Sequence, residues 1–370
     1  MKILLTCVQP VGGIRTFFRY IYGSSLFANM ELTFFTPSKR LKPYLDNNLK
    51  LSEGGLRHVF SGGGMKNFIL NLRKTLRTSE FDVLHSHGFT ALVYTEIARV
   101  GFKSRHITTA HDVFTTNQFI GLKGKLKWCL MYWCFKRVNI IHTVTHDATQ
   151  NLLSYFPDID KRKIKCIVHG VNTEYFAKEL PRNLRSELDV PNETILLGFF
   201  GRFMAQKGFR TLVDAVEIVA ANYPDLQFKV CTFGWGGFIR EDYEYISSKG
   251  IEKYFQQLSA TDNMAASIKA VDLVVMPSRW EACGLLAMEV LACGIPLLSS
   301  SCIGLREVVA NTPTMAIKGQ APESYAAQIV YFLQNIDSQK LAFKAYQDIA
   351  VSRFAINDVA KEIHQLYLQV

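Results

Sequence analysis

Ten short apolar runs, each four to six residues long, alternate with helix-patterned stretches along most of this chain. In the first half they are Ile3–Cys7, Leu32–Phe35, Val83–His87, Ile107–Ala110, Ile140–Val144 and Lys165–Val168. In the second half they are Ile195–Phe200, Phe228–Thr232, Leu273–Met276 and Pro296–Ser299. The runs are rich in Ile, Val, Leu and Phe and show little in–out alternation, which is how strands of a parallel sheet covered on both faces read. Strand–helix repetition of this kind predicts doubly wound, Rossmann-like α/β units. At 370 residues, two such domains are expected. The boundary is expected near His169-Gly170-Val171-Asn172, since a polar stretch from Lys178 to Asn192 with two prolines precedes the next strand. The expected domains are 1–172 and 173–353, followed by a helix over 354–370 with Ile356, Val359, Ile363, Leu366 and Tyr367 as its apolar positions.

Composition narrows the setting. No run of 18 apolar residues appears, so no membrane-spanning helix is expected. The opening apolar run of about six residues is short for a signal peptide and meets Gly12-Gly13, so it reads as a buried strand and a tight turn. Eight cysteines lie scattered with no C-x-x-C pair and no His–Cys ligand spacing, which predicts a reduced, cytoplasmic protein without a zinc site. Residues 1–175 carry a net charge of +13, and the rest −3. A basic first domain suits an anionic surface, and lipid head groups attract Lys and Arg with about 1 kcal/mol each. No nucleic-acid motif accompanies the charge, so no nucleic-acid partner is expected.

The densest chemistry lies in Pro277–Ser300, PSRWEACGLLAMEVLACGIPLLSS. Glu281 and Glu289 stand eight residues apart, flanking the small-residue turn Ala282-Cys283-Gly284 that opens an apolar helix. A helix opening after a strand end offers unsatisfied N–H groups and a positive dipole end, suited to a diphosphate. One carboxylate before the helix and one about a turn inside it could grip hydroxyls on either side of the phosphates, as a nucleotide sugar would require. A second segment, GFFGRFMAQKG over 198–208, again follows a strand and opens a helix. Gly201 permits a tight turn, and Arg202 and Lys207 supply a forked and a point cation for a leaving diphosphate.

Taken with its frame of strand, P-S, E, G-L, E and G-x-P, the 277–300 segment resembles the E-x7-E signature of retaining glycosyltransferases of the GT-B fold, the family-4 group. Residues 198–208 resemble that family's G-R-x-x-x-x-K-G segment, and His169–Asn172 its N-G-V-D segment between domains, with His169 for Asn and Asn172 for Asp. The resemblance covers nearly the whole chain, most specifically 195–310. It implies that the donor lies in an interdomain cleft and that Glu289 pairs with ribose hydroxyls. It further implies that Glu281 contacts the transferred sugar and that the amides of Gly284 and Leu285, with Leu286 a further candidate, face the phosphate. Arg202 and Lys207 would stabilise charge on the leaving group. His111, ending the strand ITTAHD, would contact the sugar, and histidine can donate to a hydroxyl there without a fixed charge. The Gly12-Gly13 loop would lie near the donor phosphate and the acceptor, with a plain strand–helix turn as the lesser alternative. The terminal helix would cross back onto the first domain.

Other features divide between chemistry and packing. His85 and His87 either line the acceptor side or are packed and hydrogen-bonded; His142 and His146 read as structural. Cys283 reads as packing, since nothing nearby in sequence activates it. Asp158-Ile159-Asp160 is formally a D-x-D metal motif but lies in a polar connecting turn, so no metal and no cofactor beyond the donor are expected. Phe233–Gly237 is a Gly-rich loop without G-K-[ST], and Trp235 in it either stacks on a base or packs. In Lys123–Arg137, Trp128, Tyr132 and Phe135 share a helical face between cations, which suits either a membrane interface or a packed helix. The expected activity is transfer of a hexose-type sugar from a UDP- or GDP-linked donor to a hydroxyl with retention. The expected acceptor is lipid-linked or membrane-associated, in surface polysaccharide or lipopolysaccharide assembly at the inner membrane face. The alternatives are a nucleotide-sugar epimerase of the same fold, which would need no acceptor, and a non-catalytic binding protein, which would not need Arg202 and Lys207.

Overall fold

The computed structural model describes residues 1–39, 41–49, 56–234, 236–259 and 261–369. The chain forms two compact units, Met1–His169 with Ile356–Val370, and Gly170–Ala355. In the first unit the strands are β1 (Lys2–Cys7), β2 (Glu31–Thr36), β3 (Leu56–Phe60), β4 (Val83–His87), β5 (Arg105–Ala110), β6 (Ile140–Thr143) and β7 (Ile164–Cys166). They form one parallel sheet in the order β3-β2-β1-β4-β5-β6-β7. Successive residues of β1 serve opposite layers: Ile3, Leu5 and Cys7 join one core with Phe17, Phe18 and Tyr22, while Leu4 joins another with Phe35, Phe68 and Leu72. Coverage on both faces is why the run is apolar without alternation. The C-terminal helix Ile356–Leu368 buries Val359, Ala360, Ile363, Leu366 and Tyr367, one stripe at helical spacing, in the same core as β1.

The second unit repeats the plan with β8 (Ile195–Phe200), β9 (Phe228–Phe233), β10 (Phe255–Leu258), β11 (Leu273–Met276), β12 (Leu297–Ser300) and β13 (Met315–Ile317). Its parallel order is β10-β9-β8-β11-β12-β13. In each sheet the order reverses beside the first strand, between β1 and β4 and between β8 and β11. Ligands of open α/β sheets bind outside the carboxyl ends of the strands at such a switch point. Three strands, β3, β10 and β13, were not expected from the sequence, and all three lie at sheet edges.

For the aromatic face of the helix Gly121–Arg137, the packed alternative of the two left open by the sequence is the one present. Its aromatic face turns inward: Phe135 is buried, and Trp128 and Tyr132 pack on the same core. Trp128 stacks on Phe156 at 5.4 Å between ring centroids and donates its indole N–H to the Tyr155 carbonyl at 2.8 Å. A second stripe, Leu122, Leu126, Leu130 and Trp133, remains exposed, with Leu122 at 76% and Leu126 at 63%. Among the described residues, no helix is long and apolar enough to cross a membrane.

Candidate functional site

In the second unit, the two segments singled out by sequence leave the carboxyl ends of β8 and β11, which are paired neighbours. After β8 the chain makes a single 3-10 turn, Ala205–Lys207, before the helix Phe209–Asn222 begins. Gly208 joins them with φ +67°, and a Cβ there would stand 1.9 Å from the Pro277 carbonyl oxygen. Only glycine admits both the conformation and this approach of the two loops. The Arg279 N–H donates to the Gln206 carbonyl at 2.8 Å and the Gln206 side-chain amide to the Trp280 carbonyl at 3.0 Å, fastening one loop to the other. From the other side Gly304, φ +74°, brings its backbone so close that a Cβ would lie 2.3 Å from the Glu281 carbonyl oxygen.

This bracing brings Lys207 and Glu281 together. Lys207 Nζ donates to Glu281 Oε1 at 2.6 Å, and Ser278 Oγ donates to the same oxygen at 2.8 Å. Glu281 is only 6% exposed, so its charge is held by these two partners rather than by water. The Ser278 carbonyl in turn accepts from Ser300 Oγ at 2.5 Å and from the Gln320 side-chain amide at 3.3 Å. Ser278 stood in the sequence only as part of the P-S frame, and Gln320 gave no signal. Arg202 is half-buried on the loop after β8 and takes no ion pair among the described residues.

Gly284 is the N-cap of the helix Leu285–Cys293, with no side chain capping it. The Leu285 N–H donates to the Cys283 carbonyl at 2.9 Å, so that amide is engaged within the turn. Glu289 lies one turn into the helix, half-buried, and takes no hydrogen bond or ion pair among the described residues. Burial without a compensating partner pushes its carboxyl up to about 8. The helix therefore carries one open-ended carboxyl, while Glu281, before it, is already paired.

In the first unit, Gly12 and Gly13 open the first helical segment after β1, and Arg15 is folded back on its own loop, its Nε donating to the Pro10 carbonyl at 2.7 Å. His111 follows β5 and packs edge-on against Phe17 of that helical segment, 5.1 Å between centroids. Burial holds the His111 ring well below the usual imidazole range, so it is neutral at physiological pH. Its Nε2 meets His87 Nδ1 at 3.0 Å. His85 and His87 are buried and hydrogen-bonded, which is the packed alternative of the two the sequence left open. His142 is likewise buried and bonded. Asp160 of the D-x-D caps the turn Lys161–Lys163 and pairs with Arg162, a connecting turn as expected. Among the described residues, no group of three His, Cys, Asp or Glu could hold a metal ion. Trp235 lies outside the described residues.

Two family profiles match this chain consecutively: "Glycosyltransferase Family 4" over residues 11–175 and "Glycosyl transferases group 1" over 194–335. The chain belongs to the group 1, family 4 glycosyltransferases. Among its relatives, the D-inositol 3-phosphate glycosyltransferase of Corynebacterium urealyticum is 28% identical over 221 residues, 57% of this chain and 52% of that protein. The match thus spans about half the length of that relative. The UDP-Gal:alpha-D-GlcNAc-diphosphoundecaprenol alpha-1,3-galactosyltransferase of Escherichia coli is 24% identical over 252 residues, covering 66% of this chain and 64% of that protein. The solved structure of Anabaena Alr3699/HepE in complex with UDP-glucose is similar over the whole of both chains, with a TM-score of 0.85 at 18% identity. The two parallel sheets, of seven and six strands, match the GT-B fold.

Proposed function

We propose that this family-4 glycosyltransferase transfers a hexose-type sugar from a UDP- or GDP-linked donor to a hydroxyl of a lipid-linked or membrane-associated glycan, with retention. The observation that carries the reading is the Lys207–Glu281 contact of 2.6 Å, which joins the two segments at the switch point of the second sheet. A cation and a carboxylate fixed there suit a diphosphate and a sugar hydroxyl side by side. Lys207 and Arg202 take the charge of the departing diphosphate without a metal. Glu281 accepts from the sugar, Glu289 from the ribose, and Gly284 lends its amide to the phosphate. In the first unit, His111 meets the sugar and the Gly12-Gly13 turn the phosphate.

The bond from the anomeric carbon to the diphosphate oxygen breaks with its electron pair leaving on the phosphate. The acceptor oxygen bonds to the same face, and its proton passes to a departing phosphate oxygen. Glu281 is already engaged by Lys207 and Ser278, which supports assigning retention to this same-face route rather than to a covalent intermediate. The lipid-linked acceptor draws on the diphosphoundecaprenol in the name of the Escherichia coli relative and on the exposed apolar stripe of helix Gly121–Arg137, flanked by Lys123, Lys125, Lys127, Lys136 and Arg137. Such a face suits peripheral contact with an anionic membrane from its cytoplasmic side.

The test is a panel of UDP- and GDP-sugars scored by thermal shift and by slow donor hydrolysis without acceptor, with Glu289→Ala as control. Stabilisation and hydrolysis by one donor, both lost in the variant, are expected. Folded protein that responds to no donor sinks the reading.

A further inference from the structure

Three histidines, two tyrosines and a threonine, all buried in the first unit, form one unbroken series of hydrogen bonds behind His111. The series starts at the Ile167 carbonyl, which meets His142 Nε2 at 3.1 Å. His142 Nδ1 meets Thr109 Oγ1 at 2.9 Å, and Thr109 Oγ1 meets His85 Nε2 at 2.7 Å. His85 Nδ1 makes a short contact with the Tyr367 hydroxyl, which lies 2.9 Å from the Tyr22 hydroxyl. The Tyr22 hydroxyl meets His87 Nε2 at 2.9 Å, and His87 Nδ1 meets His111 Nε2 at 3.0 Å.

Burial keeps all four rings uncharged: His85, His87 and His111 are held well below the usual range and His142 at about 4. Each ring therefore carries one N–H and one lone pair, and each hydroxyl has a single proton to give. The carbonyl can only accept, so His142 is protonated at Nε2 and its Nδ1 accepts from Thr109. Thr109, its proton given, accepts from His85 Nε2–H. His85 Nδ1 then needs a donor and takes it from Tyr367. Tyr367 accepts from Tyr22, Tyr22 accepts from His87 Nε2–H, and His87 Nδ1 accepts from His111. Reversing the last steps would leave one contact of Tyr367, either with His85 or with Tyr22, without a proton, which a buried network does not tolerate cheaply.

We infer that this directed series fixes His111 as the Nε2–H tautomer, with His87 and Tyr22 as its positioning residues, so that His111 Nδ1 presents a lone pair and accepts a hydrogen bond from a bound hydroxyl. This reverses the donor role expected of His111 from its sequence. The tautomer stands apart from the proposed function; that the bound hydroxyl belongs to the donor sugar rests on it.

The experiment reads the histidine ring nitrogens of the isotope-labelled full-length protein by NMR, with His111 assigned by the loss of its signals in His111→Gln. Wild type is expected to show one neutral His111 form, protonated at Nε2. Tyr22→Phe severs the series beside His87, and His111 is expected to divide between two tautomers. Tyr367→Phe is expected to keep the single form, because the Tyr22 hydroxyl lies 3.2 Å from His85 Nδ1 and can donate there directly. A wild-type His111 protonated at Nδ1, or a Tyr22→Phe spectrum with His111 unchanged, overturns the inference; the wild-type spectrum decides even where a variant fails to fold. In a second arm, deoxy and deoxyfluoro donor sugars are compared at each hydroxyl position. At the position felt through His111, both analogues should lose affinity alike, because fluorine cannot donate; retention by the fluoro analogue alone overturns the accepting role. If no position is felt through His111 while the tautomer is as inferred, it is His111's place in the sugar site that fails, not the series.

Discussion

At the residue scale, the Lys207–Glu281 pair sets up a competition. A donor phosphate that recruits Lys207 draws on a cation whose hydrogen bond already goes to Glu281, so binding exchanges one anion for another at the same ammonium. Lys207→Ala leaves Glu281 nearly buried with Ser278 as its one remaining side-chain partner among the described residues, and removing one member of a buried pair costs more than removing both. In a double-mutant cycle with Glu281→Gln, unfolding should show a coupling of about 0.5–3 kcal/mol, with the double variant more stable than Lys207→Ala alone. Additive effects would mean that the pair does not couple. Donor turnover in Lys207→Ala should fall by about 100-fold or more, the scale of losing one preorganised charge at a leaving group. Glu289 makes a separate prediction. Its carboxyl, raised from 4.5 to about 8, holds a proton in the folded chain that the unfolded chain releases. The associated stability is full below pH 4.5 and is lost as the pH rises through about 8. Melting temperature followed across that window should decline less steeply in Glu289→Gln than in wild type; parallel curves would remove the shift. The acidic pair and the cations could be read from the sequence because each sits in a local frame of strand, turn and helix. The meeting of Tyr22 and Tyr367 could not: it spans 345 positions of sequence, nothing local marks Tyr22, and Tyr367 reads only as an apolar position of the terminal helix.

At the element scale, what sequence discloses is set by how deeply an element is buried. Each of the ten expected strands is present to within two residues at either end, and most of them lie inside their sheets. The three that gave no signal are half-exposed edges: Leu-Arg-His-Val-Phe in β3, Phe-Gln-Gln-Leu in β10 and Met-Ala-Ile in β13. An edge strand needs fewer apolar residues and is hard to tell from a loop by pattern. The helix Gly121–Arg137 was legible only as two alternatives, because it carries two apolar stripes and pattern alone cannot say which one packs. Trp128, Met131 and Phe135 face the core, leaving Leu122, Leu126, Leu130 and Trp133 outside with cations around them and no acidic residue in the helix. If the outer stripe meets lipid, the protein should sediment with vesicles containing anionic lipid and much less with neutral ones. Leu122→Glu with Leu126→Glu should weaken that binding by roughly 100-fold, about the burial free energy of two leucines at the low end of its range. Because both side chains are exposed in the free protein, the melting temperature should hardly change. Equal sedimentation of variant and wild type would remove this helix from the membrane reading.

At the scale of the whole molecule, the last thirteen helical residues belong by packing to the opposite end of the sequence. Ile356–Leu368 follows the second unit in the chain, yet Val359, Ile363, Leu366 and Tyr367 complete the core that begins with Ile3 and Leu5. The sequence carried the helix and its apolar positions, the family resemblance implied its return to the first domain, and the packed core shows which side chains that stripe meets. Each of these side chains contributes about 1.5–3 kcal/mol when fully buried, so the four together amount to about 6–12 kcal/mol. A domain's entire margin is of the same size, about 5–15 kcal/mol. A chain ending at Ala355 should therefore lose the cooperative unfolding of the first unit, while the second, whose cores lie within Gly170–Ala355, keeps its own transition. Differential scanning calorimetry of the truncated chain beside the full one separates the outcomes. Loss of one transition with the other retained is expected. Two intact transitions would mean that the first unit folds without its terminal helix, and that the burial of four large side chains there is worth far less than their area suggests.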